Sequence, residues 1–128
     1  MLSSLLNGKS LEERMNESLR VRTRNPARIP IILSRGNSNV REIGRNKYLV
    51  PLDMTMGQLA FVIRRKIEMT PEKALFLFVN NKLLPTNALM EQVYQIEQNE
   101  DGFLYIFYSS EDTFGAANQK GLIGVKVP

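Results

Sequence analysis

Residues 55–67 read Thr-Met-Gly-Gln-Leu-Ala-Phe-Val-Ile-Arg-Arg-Lys-Ile, and the way this stretch folds decides the rest. Thr55 and Gln58 stand three apart, the spacing of a capping box in which each side chain satisfies the other's free backbone N–H. Met56, Leu59, Ala60, Val62, Ile63 and Ile67 recur at helical spacing and make an apolar face nearly half the helix wide. Arg64, Arg65 and Lys66 fall in the last turn, where cations oppose the negative end of the helix dipole. A helix this apolar on one side must be covered, and the segments on either side of it are built to do that.

Upstream, Arg28-Ile-Pro-Ile-Ile-Leu-Ser34 reads as a β-branched strand, and Pro30, which cannot donate to a ladder, predicts an edge or a bulge. Residues 35–46, rich in Gly, Asn and Ser, form a loop. Lys47–Leu52 follows as a second short strand, whose Pro51 argues for a partly unpaired edge. The two make a hairpin. Downstream, Thr70-Pro71 opens a tight turn. Leu75-Phe-Leu-Phe-Val79 is a continuous apolar run, as in a strand covered on both faces, and Asn80-Asn81 is turn chemistry tolerant of positive φ. Residues 87–95 form a short helix carrying Leu89, Met90 and Val93. Asp101-Gly102 then turns into Phe103-Leu-Tyr-Ile-Phe-Tyr108, the most β-prone run and the expected central strand. At the other end, Ser10 and Glu13 make a second capping box. Leu11, Met15 and Leu19 form a narrow stripe on a polar helix that ends near Arg24, before Asn25-Pro26, and the stripe places that helix against a larger body. One amphipathic helix across a four-stranded mixed sheet is an α+β arrangement of the β-grasp, or ubiquitin-like, kind, here with an N-terminal helical extension.

Composition narrows the function. The chain of 128 residues has room for one domain, with 43% hydrophobic and 23% charged residues as in an ordinary soluble protein. It has no cysteine and no histidine, which removes disulfides, Cys/His zinc sites, thiol nucleophiles and histidine triads. No Walker loop, G-x-G-x-x-G, H-E-x-x-H or calcium loop is present and the carboxylates are scattered, so neither an enzyme nor a cofactor or metal is expected. No apolar run reaches the roughly 18 residues of a membrane span, and Met1–Gly8 lacks the charged start and apolar length of a signal peptide, which predicts a cytosolic start. The net charge of +4 is uneven: residues 1–47 carry +6, residues 48–115 carry −4, and Lys120 and Lys126 add +2. A basic N-terminal third either attracts an acidic partner or is a solvated face. The aromatic run at 103–108 could stack bases, but the basic residues lie elsewhere and no RNA-binding signature accompanies it, so nucleic acid is not an expected partner. The alternating stretch Lys47–Leu52 is instead a template for an added peptide strand, or simply half-buried.

Several collinear stretches over residues 26–115 resemble one family, the autophagy ubiquitin-like modifiers, and more nearly their GABA-receptor-associated-protein branch. They are Pro26-Ala-Arg-Ile-Pro-Ile-Ile32, Lys47-Tyr-Leu-Val-Pro51, Gly57-Gln-Leu59 with Val62-Ile-Arg-Arg-Lys-Ile67, Pro71-Glu-Lys-Ala-Leu-Phe-Leu-Phe-Val-Asn80, and Asp101-Gly-Phe-Leu-Tyr105 with Glu111-Asp-Thr-Phe-Gly115. The resemblance implies three parts: a leader and helix over 1–24, a ubiquitin-like core over 25–110, and a tail over 111–128 that a processing cysteine protease cuts after Gly115. Activating and conjugating enzymes would then join the Gly115 carboxylate to phosphatidylethanolamine in a membrane. Glycine suits that position because, lacking Cβ, it threads a narrow channel and leaves its carbonyl open to attack.

The same resemblance implies a groove for peptides of the form aromatic-x-x-aliphatic from autophagy receptors. Its aromatic pocket would draw on Glu17, Val21, Pro30, Ile32, Lys47, Leu49 and Phe103. Its aliphatic pocket would draw on Tyr48, Val50, Pro51, Met54, Leu59, Val62 and Ile63, with Arg28, Lys47 and Lys66 meeting acidic flanks. Ala27, where the family usually has Asp, and Leu59, where an aromatic is common, depart from its pattern. The protein implied is cytoplasmic until lipidated and then autophagosomal. The alternative is an unconjugated adaptor for receptor or tubulin peptides, which would keep residues 116–128.

Overall fold

The computed structural model describes residues 8–112. Its elements are α1 (Leu11–Arg24), β1 (Arg28–Arg35), β2 (Lys47–Pro51), α2 (Met56–Lys66), β3 (Phe76–Val79), β4 (Lys82–Leu83), α3 (Met90–Glu97) and β5 (Leu104–Ser109). They form one mixed sheet in the order β2-β1-β5-β3-β4, with β1 and β5 parallel and the other neighbours antiparallel. The ubiquitin-like α+β fold is therefore the one observed, with β5 central and β2 on the border.

Both capping boxes form. Ser10 Oγ accepts the Glu13 N–H and Thr55 Oγ1 the Gln58 N–H, while the Glu13 and Gln58 side chains return the bond to the cap backbone. Met56, Leu59, Ile63 and Ile67 turn inward from α2 onto Ile29, Ile31, Leu33, Leu104, Ile106 and Tyr108 of β1 and β5, and these make up the main core. Burying side chains of this size stabilises by about 1.5–3 kcal/mol each. The opposite face of the sheet carries a second, small core of Ile32, Phe103 and Tyr105, covered by α1.

Five expectations change. The sheet has five strands, because Asn80 and Asn81, at φ 51° and 64°, close a two-residue hairpin that turns Lys82–Leu83 back onto β3. The short helix runs over Met90–Glu97 and not 87–95, since Met90 and Glu91 donate their N–H groups to Met54 and Leu52 at its first turn. Val62 is exposed on the rim of α2, so the helix's buried face is narrower than its apolar face. Pro30 lies in an interior strand, at a position whose missing N–H no β2 carbonyl needs. Leu11, Met15 and Leu19 face outward at 37, 46 and 57% exposure, because α1 docks by its polar side instead.

Candidate functional site

The pairing of β2 with β1 determines what its free side offers. Leu33 N–H donates to Asn46 O at 2.8 Å and Leu52 N–H to Ala27 O at 3.3 Å, and the register between them is Ile29 with Val50, Pro30 with Leu49, Ile31 with Tyr48 and Ile32 with Lys47. Antiparallel pairs alternate between hydrogen-bonded and non-hydrogen-bonded. Tyr48 and Val50 therefore spend their backbone groups on β1, whereas Lys47 and Leu49 point theirs to the border, and the Pro51 carbonyl accepts the Met54 N–H at 3.2 Å. Pro30 and Pro51 both sit where their lost donors cost β1 and β2 nothing. The outward Leu49 carbonyl accepts Arg28 Nη1 at 3.3 Å.

Side-chain parity then divides the border between the two faces of the sheet. Lys47 and Leu49 stand with Pro30 and Ile32 on the α1 face. Here the Glu17 carboxylate accepts Lys9 Nζ and Lys47 Nζ, both at 2.9 Å, and Lys47 Nζ lies 5.8 Å from the centre of the Phe103 ring. Burial pushes Glu17 up in pKa, but the two lysines outweigh it and hold the carboxyl below its usual range. Val21 is half-buried, and Ile32 and Phe103 form the floor. Tyr48 and Val50 stand on the α2 face, where the Arg45 guanidinium and Lys66 Nζ each lie 5.6 Å from the centre of the Tyr48 ring.

The implied pocket residues thus fall into two clusters on opposite sides of one strand. Val50, Leu59 and Ile63 belong to the main core at 6, 2 and 0% exposure and reach a ligand only as backing. The surface beyond them is an open depression shared by Pro51, Met54, Gln58, Phe61 and Val62. Phe61, 59% exposed with the Arg65 guanidinium 5.8 Å from its ring centre, was missed by sequence reasoning. So was Arg45. Phe61 sits in the α2 pattern one step off the buried stripe, and only its exposure reveals it. Gly115 lies outside the described residues.

The α1 wall is held by one buried carboxylate that no motif announced. Asp101, whose side chain is wholly inaccessible, accepts Tyr105 Oη at 2.6 Å, the Phe103 N–H at 2.9 Å and Arg14 Nε at 3.0 Å. Burial pushes this carboxyl up, but the bonds from Tyr105, Phe103, Asn99 and Arg14 together hold it below the ordinary aspartate range. Ser18 Oγ donates to the Asp101 carbonyl, and the Arg22 guanidinium lies 5.5 Å from the centre of the Tyr94 ring. Among the described residues no cluster of His, Cys, Asp and Glu could hold a metal, and no helix is long and apolar enough to cross a membrane.

An extended peptide laid along Lys47 and Leu49 would alternate its side chains between the two faces. Residues an odd number apart go to opposite faces, so a motif whose anchors are three apart suits this border, one anchor per cluster. The family model described as autophagy protein Atg8, ubiquitin like, matches residues 13–115. Autophagy-related protein 8d of Arabidopsis thaliana is 49% identical over 115 residues, covering 89% of this chain and 96% of that protein. Among solved structures, Trypanosoma brucei ATG8 is 42% identical with a TM-score of 0.77, over 84% of this chain and 94% of that one. Plasmodium falciparum Atg8, solved in complex with a Plasmodium falciparum Atg3 peptide, is 35% identical with a TM-score of 0.78, over 86% and 98%.

Proposed function

Because the chain belongs to the Atg8 family of autophagy ubiquitin-like modifiers, we propose that it is cut after Gly115 and joined through that carboxylate to phosphatidylethanolamine. So anchored, it recruits cargo and receptors to autophagosomal membranes through the β2 border. It is cytoplasmic before that step and carries out no catalysis of its own; the protease and the activating and conjugating enzymes make and break the bonds. The two acyl chains of the lipid supply the stable attachment that one chain does not. What supports the peptide-binding half is the outward direction of the Lys47 and Leu49 backbone groups, of which the Leu49 carbonyl meets only the exposed Arg28 side chain, flanked by one cluster on each face. Arg28, Lys47, Lys66 and Arg45 surround the border with positive charge and favour acidic residues beside the anchors. The Atg3 peptide bound to Plasmodium falciparum Atg8 supports a conjugating enzyme as one such peptide donor.

The experiment is a calorimetric titration of residues 1–115 with an acidic-flanked peptide containing Trp-x-x-Leu, run beside a lipid-conjugation assay. Leu49→Asp should weaken peptide binding at least tenfold, by placing a like charge against the acidic flank and removing apolar contact. Gly115→Ala should block conjugation and leave peptide binding unchanged. Normal lipid attachment of the Gly115→Ala protein would refute the conjugation, and unchanged affinity in the Leu49→Asp protein would refute the groove.

A further inference from the structure

Pairing along β2 stops short of its end, and a cavity lies beyond. Pro51 has no N–H and its carbonyl accepts the Met54 N–H at 3.2 Å, so a peptide on this border leaves the ladder after Leu49. Arg28 joins the two places. It stands opposite Pro51 in β1, yet its Nη1 reaches across β2 to the Leu49 carbonyl, at 3.3 Å. The same residue lines a cavity of about 460 Å³ with Arg22 of α1, with Glu91, Tyr94 and Gln95 of α3, and with Gln98 just past that helix. Ile29 and Leu52 add apolar lining. The Arg22 guanidinium lies 5.5 Å from the centre of the Tyr94 ring and, among the described residues, donates no hydrogen bond. Among the same residues neither arginine forms an ion pair with Glu91. Each guanidinium carries a fork of donors, and this cavity leaves nearly all of them without an acceptor.

We propose that this cavity binds an anionic side chain, phosphoserine in preference to aspartate, carried by a peptide in the β2 border three residues beyond the fourth residue of its motif. This rests on the groove reading above. Distance sets the position. β1 lies two strand spacings, about 10 Å, from a strand added to β2, and three extended residues cover about 10 Å. Counting the aromatic anchor as the first residue, the anion is the seventh. Phosphoserine brings about two charges and three acceptor oxygens, and a guanidinium fork holds two such oxygens side by side. Arg22 and Arg28 supply two forks, and the Gln95 and Gln98 amides add neutral donors. An aspartate offers one charge and fewer acceptors to the same donors. The Glu91 carboxylate and the negative end of the α1 dipole oppose either ligand, which keeps the gain modest. The border then reads the anchors, and the cavity reads whether the partner is phosphorylated.

The test is calorimetric titration of the full chain with three Trp-x-x-Leu peptides, acidic before the tryptophan, that differ only at the seventh residue: serine, aspartate or phosphoserine. The phosphoserine peptide should bind about 3- to 10-fold more tightly than the serine peptide, with aspartate between them. In Arg22→Gln that ratio should fall close to unity, and in Glu91→Gln it should rise about 2-fold. The ratio is read within each protein, so any loosening of α1 by the Arg22 change cancels. Equal affinities for the three peptides in the native chain, a ratio that survives Arg22→Gln, or tighter binding of aspartate than of phosphoserine would overturn the proposal. If no peptide bound, the groove reading would fail and the cavity would be decided separately. O-phosphoserine alone, followed by NMR, should shift the amides of Tyr94, Gln95 and Gln98 in the native chain and not in Arg22→Gln, and the absence of those shifts would overturn the site.

Discussion

Replacing Asp101 by Ala should release α1 before it disturbs the sheet. The carboxylate has no exposed surface and is the shared acceptor for Tyr105, Arg14 and the Phe103 N–H. Removing one member of a buried charged network costs about 3–5 kcal/mol, because the partners left behind are unpaired away from water. That is a large share of the roughly 5–15 kcal/mol that holds a domain together. The loss is not shared evenly, since α1 is held through Arg14 and Ser18 to Asp101, through Arg22 to Tyr94 of α3 and through Glu17 to Lys47 of β2, while its apolar stripe faces outward. Local opening should therefore come first, with amide exchange at residues 17–22 faster by about 10²- to 10⁴-fold and exchange at Ile31 and Leu104 changed less. Arg14→Met leaves the neutral donors Tyr105, Phe103 N–H and Asn99 on the carboxylate and should cost about 1.5–3 kcal/mol.

The pH dependence has a definite sign. Asp101 is held below its unfolded value of about 3.9, so its stabilisation is complete above that pH and is lost as the pH falls through the lower folded value. Protection of α1 in the native protein should drop below about pH 4, and the Asp101→Ala protein should show a flatter profile there. Exchange measured by NMR, with urea unfolding followed by circular dichroism, reads both effects. If Asp101→Ala left the α1 amides and the urea midpoint within about 0.5 kcal/mol of the native protein, the ordinary surface range, the buried latch would be refuted.

Gly102 holds φ +89°, and a Cβ built there lies 2.3 Å from Ser18 Oγ, so Gly102→Ala should cost about 1–3 kcal/mol in urea unfolding, part of it recovered by adding Ser18→Ala. Thr55→Ala removes one half of the α2 capping box and should lower stability by about 1 kcal/mol, with no change in peptide affinity. Pro51→Ala adds an outward N–H to the border: it should lower stability by about 0.4–1 kcal/mol through the unfolded chain and tighten peptide binding, and unchanged affinity would mean the added strand does not reach Pro51.

What the sequence shows well is burial with a period. The α2 stripe, the β5 run and the two capping boxes each depend on residues within four positions of one another, and each forms as read. What it shows poorly is which polar group finds which. Asp101 and Arg14 are 87 residues apart, so nothing local marks the pair, and α1 turns its polar side inward because that network outweighs three aliphatic side chains left half-exposed. Pro30 misleads for a related reason. A proline excludes a donor, but whether a donor was needed depends on the register of the partner strand, which the residues of β1 alone do not contain. The border itself is legible in part, because the alternation at 47–50 already separates Lys47 and Leu49 from Tyr48 and Val50. Its meaning needs the structure: only when β1 takes the backbone groups of the second pair do those of the first become available. Pro51 shares the parity of the first pair, yet at the strand end it borders the depression with Met54, Phe61 and Val62 on the α2 side. In the proposed groove a peptide following β2 would meet the strand end at Pro51, whose carbonyl already accepts the Met54 N–H. On that proposal Phe61 would meet the fourth residue of the motif and not the first, and Phe61→Ala should change affinity for peptides that differ at that fourth residue, as calorimetric titration would read.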